Sequence, residues 1–131
     1  QYNTPDRTLE GAALGPFPLK LSQDRVTDEE AAVELLAPSD ALLNAPNKIA
    51  PADFQGWVQE RGLYFASEWD PRYTALFASH DPGAPDLKGS TLVARHGKGT
   101  YVFTALAFFR QLPAGVPGAY RLFVNMISAG K

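Results

Sequence analysis

Cysteine is absent from all 131 residues. Its absence excludes thiolate nucleophiles, disulfides and cysteine-ligated metals, though a chain without disulfides fits either redox compartment. Long apolar runs are missing too: none approaches the roughly 20 residues that a membrane-spanning helix needs. No sign of charge dominates. The net charge is −2 and the basic residues are scattered, so no stripe exists to track a phosphate backbone or hold an anionic membrane. Neither nucleic acid nor a membrane span is expected. Internal repeats and low-complexity tracts are absent. So are the Gly-x-Ser-x-Gly elbow of a serine hydrolase, the His-Glu-x-x-His pair of a zinc protease and any paired-carboxylate motif.

What is present is an ordinary globular composition, 45% apolar, at a length that fits one domain over 1–131 with a real core. The chain opens on Gln1 rather than Met, and the expectation is a piece of a larger protein. Residues 1–16, polar and broken by Pro5, Gly11, Gly15 and Pro16, read as an extended arm. Residues 17–22 alternate apolar and polar as a half-buried strand does, with Pro18 confining it to an edge. The stretch 28–36 is open to two readings. Thr27-Asp28-Glu29-Glu30 is a helix capping box, yet Val33-Glu34-Leu35-Leu36-Ala37 before Pro38 suits a short strand.

Ser39 is placed to cap a turn running to Leu43. Pro51 suits a helix first turn, Phe54, Trp57, Val58 and Arg61 follow at helical spacing, and Gly62 is the expected C-terminal cap. Residues 63–67 and 73–79 read as strands around the Trp69-Asp70-Pro71-Arg72 turn. Residues 80–89 form a Pro- and Gly-rich loop. Runs 90–95 and 100–104 make a hairpin across His96-Gly97-Lys98-Gly99. Ala119, Leu122, Phe123, Met126 and Ile127 mark a final helix over about 116–129, stopped at Gly130. The fold class is α/β, with α+β as the alternative: a mixed, largely antiparallel sheet with helices packed on it.

Several groups could carry chemistry. His80 and His96 both sit in loops, where a solvated histidine is the plain alternative to a metal ligand, and no further ligands stand at fitting spacing. Ser79-His80-Asp81 holds the letters of a triad, but sequence neighbours do not make triad geometry. Gly97-Lys98-Gly99 is too short for a P-loop and reads as a turn rather than an anion nest. Residues 110–121 place Arg110 and Arg121 around a rigid Pro/Gly connection. The most unusual feature is Trp57, Arg61, Tyr64, Trp69, Asp70, Arg72 and Tyr73 within one short stretch. Rings that stack on a sugar face beside Arg and Asp that take hydroxyls are how proteins hold glycans. The alternative is that Trp57 and Tyr64 are core while Asp70 and Arg72 shape the turn.

Four stretches resemble a known family: 56–65 (Gly-Trp-Val-Gln-Glu-Arg-Gly-Leu-Tyr-Phe), 69–73 (Trp-Asp-Pro-Arg-Tyr), 92–102 (Leu-Val-Ala-Arg-His-Gly-Lys-Gly-Thr-Tyr-Val) and 109–123 (Phe-Arg-Gln-Leu-Pro-Ala-Gly-Val-Pro-Gly-Ala-Tyr-Arg-Leu-Phe). They are similar to the C-terminal region of large bacterial LmbE-like (PIG-L) deacetylases, and the likeness covers nearly the whole chain. The resemblance implies an upstream zinc-dependent N-acetyl-sugar deacetylase domain in the same polypeptide. For this chain it implies the later part of a degenerate class I glutamine amidotransferase-like domain. The family's His-Pro-Asp-Asp metal motif has no counterpart here, because no His-Pro dipeptide occurs. The amidotransferase nucleophile is missing with cysteine, and neither histidine is followed two residues later by Glu. Residues 41–49 also depart from the pattern, again for want of His-Pro. By the same analogy a strand is expected at about 32–37.

The resulting expectations are specific. The chain is a non-catalytic accessory domain that orients glycan substrate or mediates assembly, not an enzyme by itself. It has no catalytic residue, no metal ligand and no cofactor of its own, zinc belonging to the missing deacetylase domain. The alternatives are an enzyme with an unrecognised hydrolase or amidotransferase-like site, or a purely structural interaction module. The resemblance implies a secreted or envelope-associated parent enzyme. If a ligand binds, the expected surface comprises Trp69, Asp70, Arg72, His80 and Arg95, walled by loops 67–73 and 79–89.

Overall fold

The computed structural model describes residues 15–130. The expected arm over 1–16 therefore lies outside the described residues except for its last two. Among the described residues, nine short strands are followed by two α-helices. β1 (Leu19–Leu21) pairs with β5 (Ala66–Trp69), across a bulge between Lys20 and Leu21. β2 (Arg25–Val26) pairs with β4 (Gly62–Leu63). β3 (Val33–Leu35) pairs with β7 (Phe77–Ser79). β6 (Thr74–Ala75), β8 (Thr91–His96) and β9 (Gly99–Thr104) form the largest sheet, in the order β6-β8-β9. Every one of these pairings is antiparallel. The expected class holds, with the sheet broken into four small pieces. The helices are α1 (Phe108–Gln111) and α2 (Pro117–Ile127). No helix among the described residues is long and apolar enough to cross a membrane.

Two apolar clusters lie on opposite faces of the β8–β9 hairpin. Val93 belongs to the first, with Leu42, Phe54, Trp57, Phe77, Phe108 and Leu122 beneath α2. Leu92 and Ala94 belong to the second, with Val26, Phe65, Tyr73 and Phe103. This is the period-2 alternation of a strand buried on both sides. The hairpin closes at His96↔Gly99 with Gly97 at φ 57°, as a tight turn requires. α2 begins with Pro117 at its first turn, and Gly130 stands beyond it at φ 91°.

The expected helix over 51–61 is not there. Pro51–Phe54 makes one 3-10 turn, and the chain turns extended at Gln55, ψ 143°. Gly56 then takes φ 72° and Gln59 φ 68°, both left-handed. The Glu60 amide donates to the Val58 carbonyl at 2.9 Å, closing a γ-turn around Gln59. What holds this segment is tertiary. The buried Gln111 side chain accepts from the Val58 amide at 2.8 Å and donates to the Val58 and Glu60 carbonyls at 3.0 and 3.3 Å. Gly62 is no helix cap. It lies in β4, where a Cβ would stand 2.5 Å from the Ala105 carbonyl oxygen.

The stretch 28–36 resolves as a strand, β3, at the expected place. Its capping box is diverted: the Thr27 and Asp28 amides both donate to Asp81 Oδ1 at 2.8 Å. Two expected strands are interrupted. Tyr64, at φ 62°, separates β4 from β5. Leu76 separates β6 from β7 as the chain changes partner from β8 to β3. The 3-10 turn Ala41–Leu43 is capped by Asp40, whose side chain accepts from the Leu42 amide, rather than by Ser39.

Candidate functional site

The Trp69–Tyr73 turn builds itself from its own residues. Asp70 Oδ1 accepts from the Arg72 amide at 2.9 Å and from Arg72 Nε at 2.8 Å, while Oδ2 accepts from Nη2 at 3.0 Å. The Tyr73 amide donates to the Asp70 carbonyl at 3.0 Å. This two-pronged fork is the strong geometry of an Arg–carboxylate pair. Hydrogen bonding from Arg72 pulls the Asp70 carboxyl from 3.8 down to about 2. The same pairing raises Arg72 above its ordinary value.

A second segment reaches this turn from β1. The Asp70 amide donates to the Pro18 carbonyl at 3.0 Å, and the Phe17 ring lies 3.6 Å beneath the Arg72 guanidinium carbon. Tyr73 locks Phe17 in place. Its hydroxyl accepts from the Phe17 amide at 3.4 Å and donates to the Phe17 carbonyl at 2.9 Å. His96, at the end of β8, meets the same ring edge-on at 5.7 Å. Trp69, register partner of Leu19, is half-buried against the second cluster.

Of the expected site residues, Trp69, Asp70 and Arg72 come together. Arg95 stands apart from them. It alternates with His96 along β8, so it faces the side of Val93 and donates to the Thr100 hydroxyl. The end of α2 approaches there too, since a Cβ on Gly130 would lie 3.5 Å from Thr100 Oγ1. His80 follows β7, whereas Arg72 precedes β6, so their loops leave opposite ends of the 74–79 run. His80 Nδ1 bonds to the Asp81 carbonyl at 2.9 Å, and its Nε2 lies 3.8 Å from Asp86. Sequence reasoning weighed His96 as a possible metal ligand and did not bring it or Phe17 to this turn. Both arrive through strand pairing.

Other charged groups of the chain have structural partners. Asp81 accepts two amides and, at 2.8 Å, the Thr27 hydroxyl. Burial pushes its carboxyl up, but these hydrogen bonds and the Arg25 charge outweigh burial and leave it below its ordinary value. Glu68 pairs with Lys20 at 3.5 Å. Glu60 accepts from Arg110 at 2.5 Å. The buried Arg61 donates through Nε to the Ala31 carbonyl at 3.0 Å and through Nη1 to the Phe54 carbonyl. Burial lowers its pKa, against the opposing pull of Asp28, Glu29 and Glu30. Among the described residues no group of three or more His, Asp or Glu is arranged to hold a metal.

No protein-family model, curated protein or solved structure matches this chain.

Proposed function

We propose that this chain is a non-catalytic accessory domain of an LmbE-like, zinc-dependent N-acetyl-sugar deacetylase, serving to orient glycan or to assemble the parent enzyme. The observation that carries this reading is the use made of the residues behind the resemblance. Val58, Glu60 and Arg61 in one motif and Arg110 and Gln111 in another bond to each other or to neighbouring backbone. Long motifs that interlock in this way are what a scaffold needs. The motifs at 69–73 and 92–102 carry exposed polar groups, and the turn at 69–73 offers the glycan-facing surface.

The parent enzyme is expected to work in the secreted or envelope compartment, with zinc held by its upstream domain. The test is twofold. The purified chain, with or without zinc, should neither deacetylate N-acetyl sugars nor hydrolyse glutamine, and robust turnover would overturn the proposal. The full open reading frame should encode an upstream His-Pro-Asp-Asp segment, and its absence removes the deacetylase link.

A further inference from the structure

We infer that the corner formed by Phe17, Arg72 and His96 binds the carboxylate of an acidic sugar residue. The inference rests on the glycan-handling reading above and adds to it the charge of the ligand and the donors that meet it.

Arg72 is preorganised. Its Nε and Nη2 are committed to Asp70 and one face lies on Phe17, while Nη1 has no partner among the described residues. A guanidinium already fixed in place loses little rotamer freedom when a second oxygen arrives. Its side chain is 60% exposed, so that donor is open to ligand. His96 is exposed on the same Phe17 ring, and its nitrogens bond to no described residue. Two donors thus flank one aromatic platform.

The field favours an anion. After Asp86 the sequence holds no acidic residue, while Lys88, Arg95, Lys98, Arg110, Arg121 and Lys131 follow. Arg110 and Arg121 are neutralised by Glu60 and Asp53. Lys98, in the hairpin turn two residues from His96, has no acidic partner among the described residues, whereas Arg95 lies on the opposite face of β8. The neighbouring acids Glu68 and Asp70 are already paired with Lys20 and Arg72. Charges act together within about 8–10 Å at physiological salt; the Arg72 charge is matched by Asp70, so Lys98 supplies the unmatched positive charge at this end of the hairpin, on a chain whose net charge is −2. The half-exposed Trp69 ring in the same turn supplies the apolar surface that a sugar face takes. One Arg, one His and one ring fit a single monosaccharide acid rather than a polyanion track.

Amide chemical-shift titration of the chain with trigalacturonate, chitotriose and sodium sulfate tests this. Trigalacturonate should shift Phe17, Arg72 and His96, with a Kd on the order of 1 mM that weakens as salt rises. Lys98→Glu, at the exposed turn, should weaken it about threefold or more with the melting temperature unchanged. His96→Gln should weaken it likewise. Equal shifts by chitotriose would overturn the carboxylate assignment while leaving the glycan reading intact. Full displacement by sulfate at equal charge would reduce the corner to a simple anion site and overturn the sugar. Silence from trigalacturonate, or indifference to Lys98→Glu, overturns the site itself. The accessory-domain reading stands or falls separately, on the turnover assay and the full reading frame.

Discussion

Gln111 does with one side chain what a neighbouring strand does with its backbone. It satisfies three main-chain groups of Val58 and Glu60 in a segment with no ladder partner of its own, and it is fully buried. Gln111→Leu keeps the volume and strands the Val58 amide and the Glu60 carbonyl, while the Val58 carbonyl keeps the Glu60 amide. At about 1–3 kcal/mol for each unmet buried group, the expected loss is about 2 kcal/mol or more, read from the shift of a denaturant midpoint. Asp70 leads to a pH prediction. Its folded value, about 2, lies below the ordinary 3.8. The charged form is therefore the one that folding favours. The turn's contribution is complete above pH 3.8 and is lost as pH falls toward about 2. A carbon-13 titration of the Asp70 carboxyl should show a midpoint near 2, rising toward the ordinary value in Arg72→Gln, which loses the guanidinium fork and keeps the residue-72 amide bond. An ordinary midpoint in the unmodified chain would mean that the fork does not form in solution.

At the scale of elements, local signals were legible and non-local ones were not. The β8–β9 hairpin and α2 fall where glycine placement and helical spacing put them, because turn chemistry and an amphipathic face are both written within a dozen residues. The segment 51–61 carries a helical spacing that the fold never uses. Its Trp57 indole donates to the Asp53 carbonyl at 3.0 Å, and its later backbone is captured by Gln111. The capping box at 27–30 is likewise taken over by Asp81 from a distant loop. The candidate site divides the same way. Asp70 and Arg72 meet within one turn and could be paired from sequence, whereas Phe17 and His96 depend on which strands lie together. Gly118 shows a tertiary demand outweighing a local preference. Alanine would improve helix propensity by about 1 kcal/mol, yet its Cβ would fall 1.8 Å from the Asp53 carbonyl oxygen. The 3-10 turn and α2 cannot both keep their places, so Gly118→Ala should destabilise by about 2 kcal/mol. A gain in melting temperature would show that the two elements part easily.

At the scale of the whole molecule, β8 matters most, because it lines both apolar clusters. Val93 enters one cluster and Leu92 and Ala94 the other, so neither interior can open without exposing a strand that the other needs. The two halves should therefore unfold as one unit rather than as two subdomains sharing a chain. Amide hydrogens of β8 should exchange with solvent only through global opening, and hence be among the slowest in the molecule. Val93→Ala and Leu92→Ala thin different interiors, each costing about 2–4 kcal/mol. Both should nevertheless move one common calorimetric transition, with its calorimetric and van't Hoff enthalpies still equal. A second transition in either variant would reveal two independent foldons. A single one would mean that a disturbance beneath α2 reaches the Arg72 corner through cooperativity alone, with no wire of contacts between them.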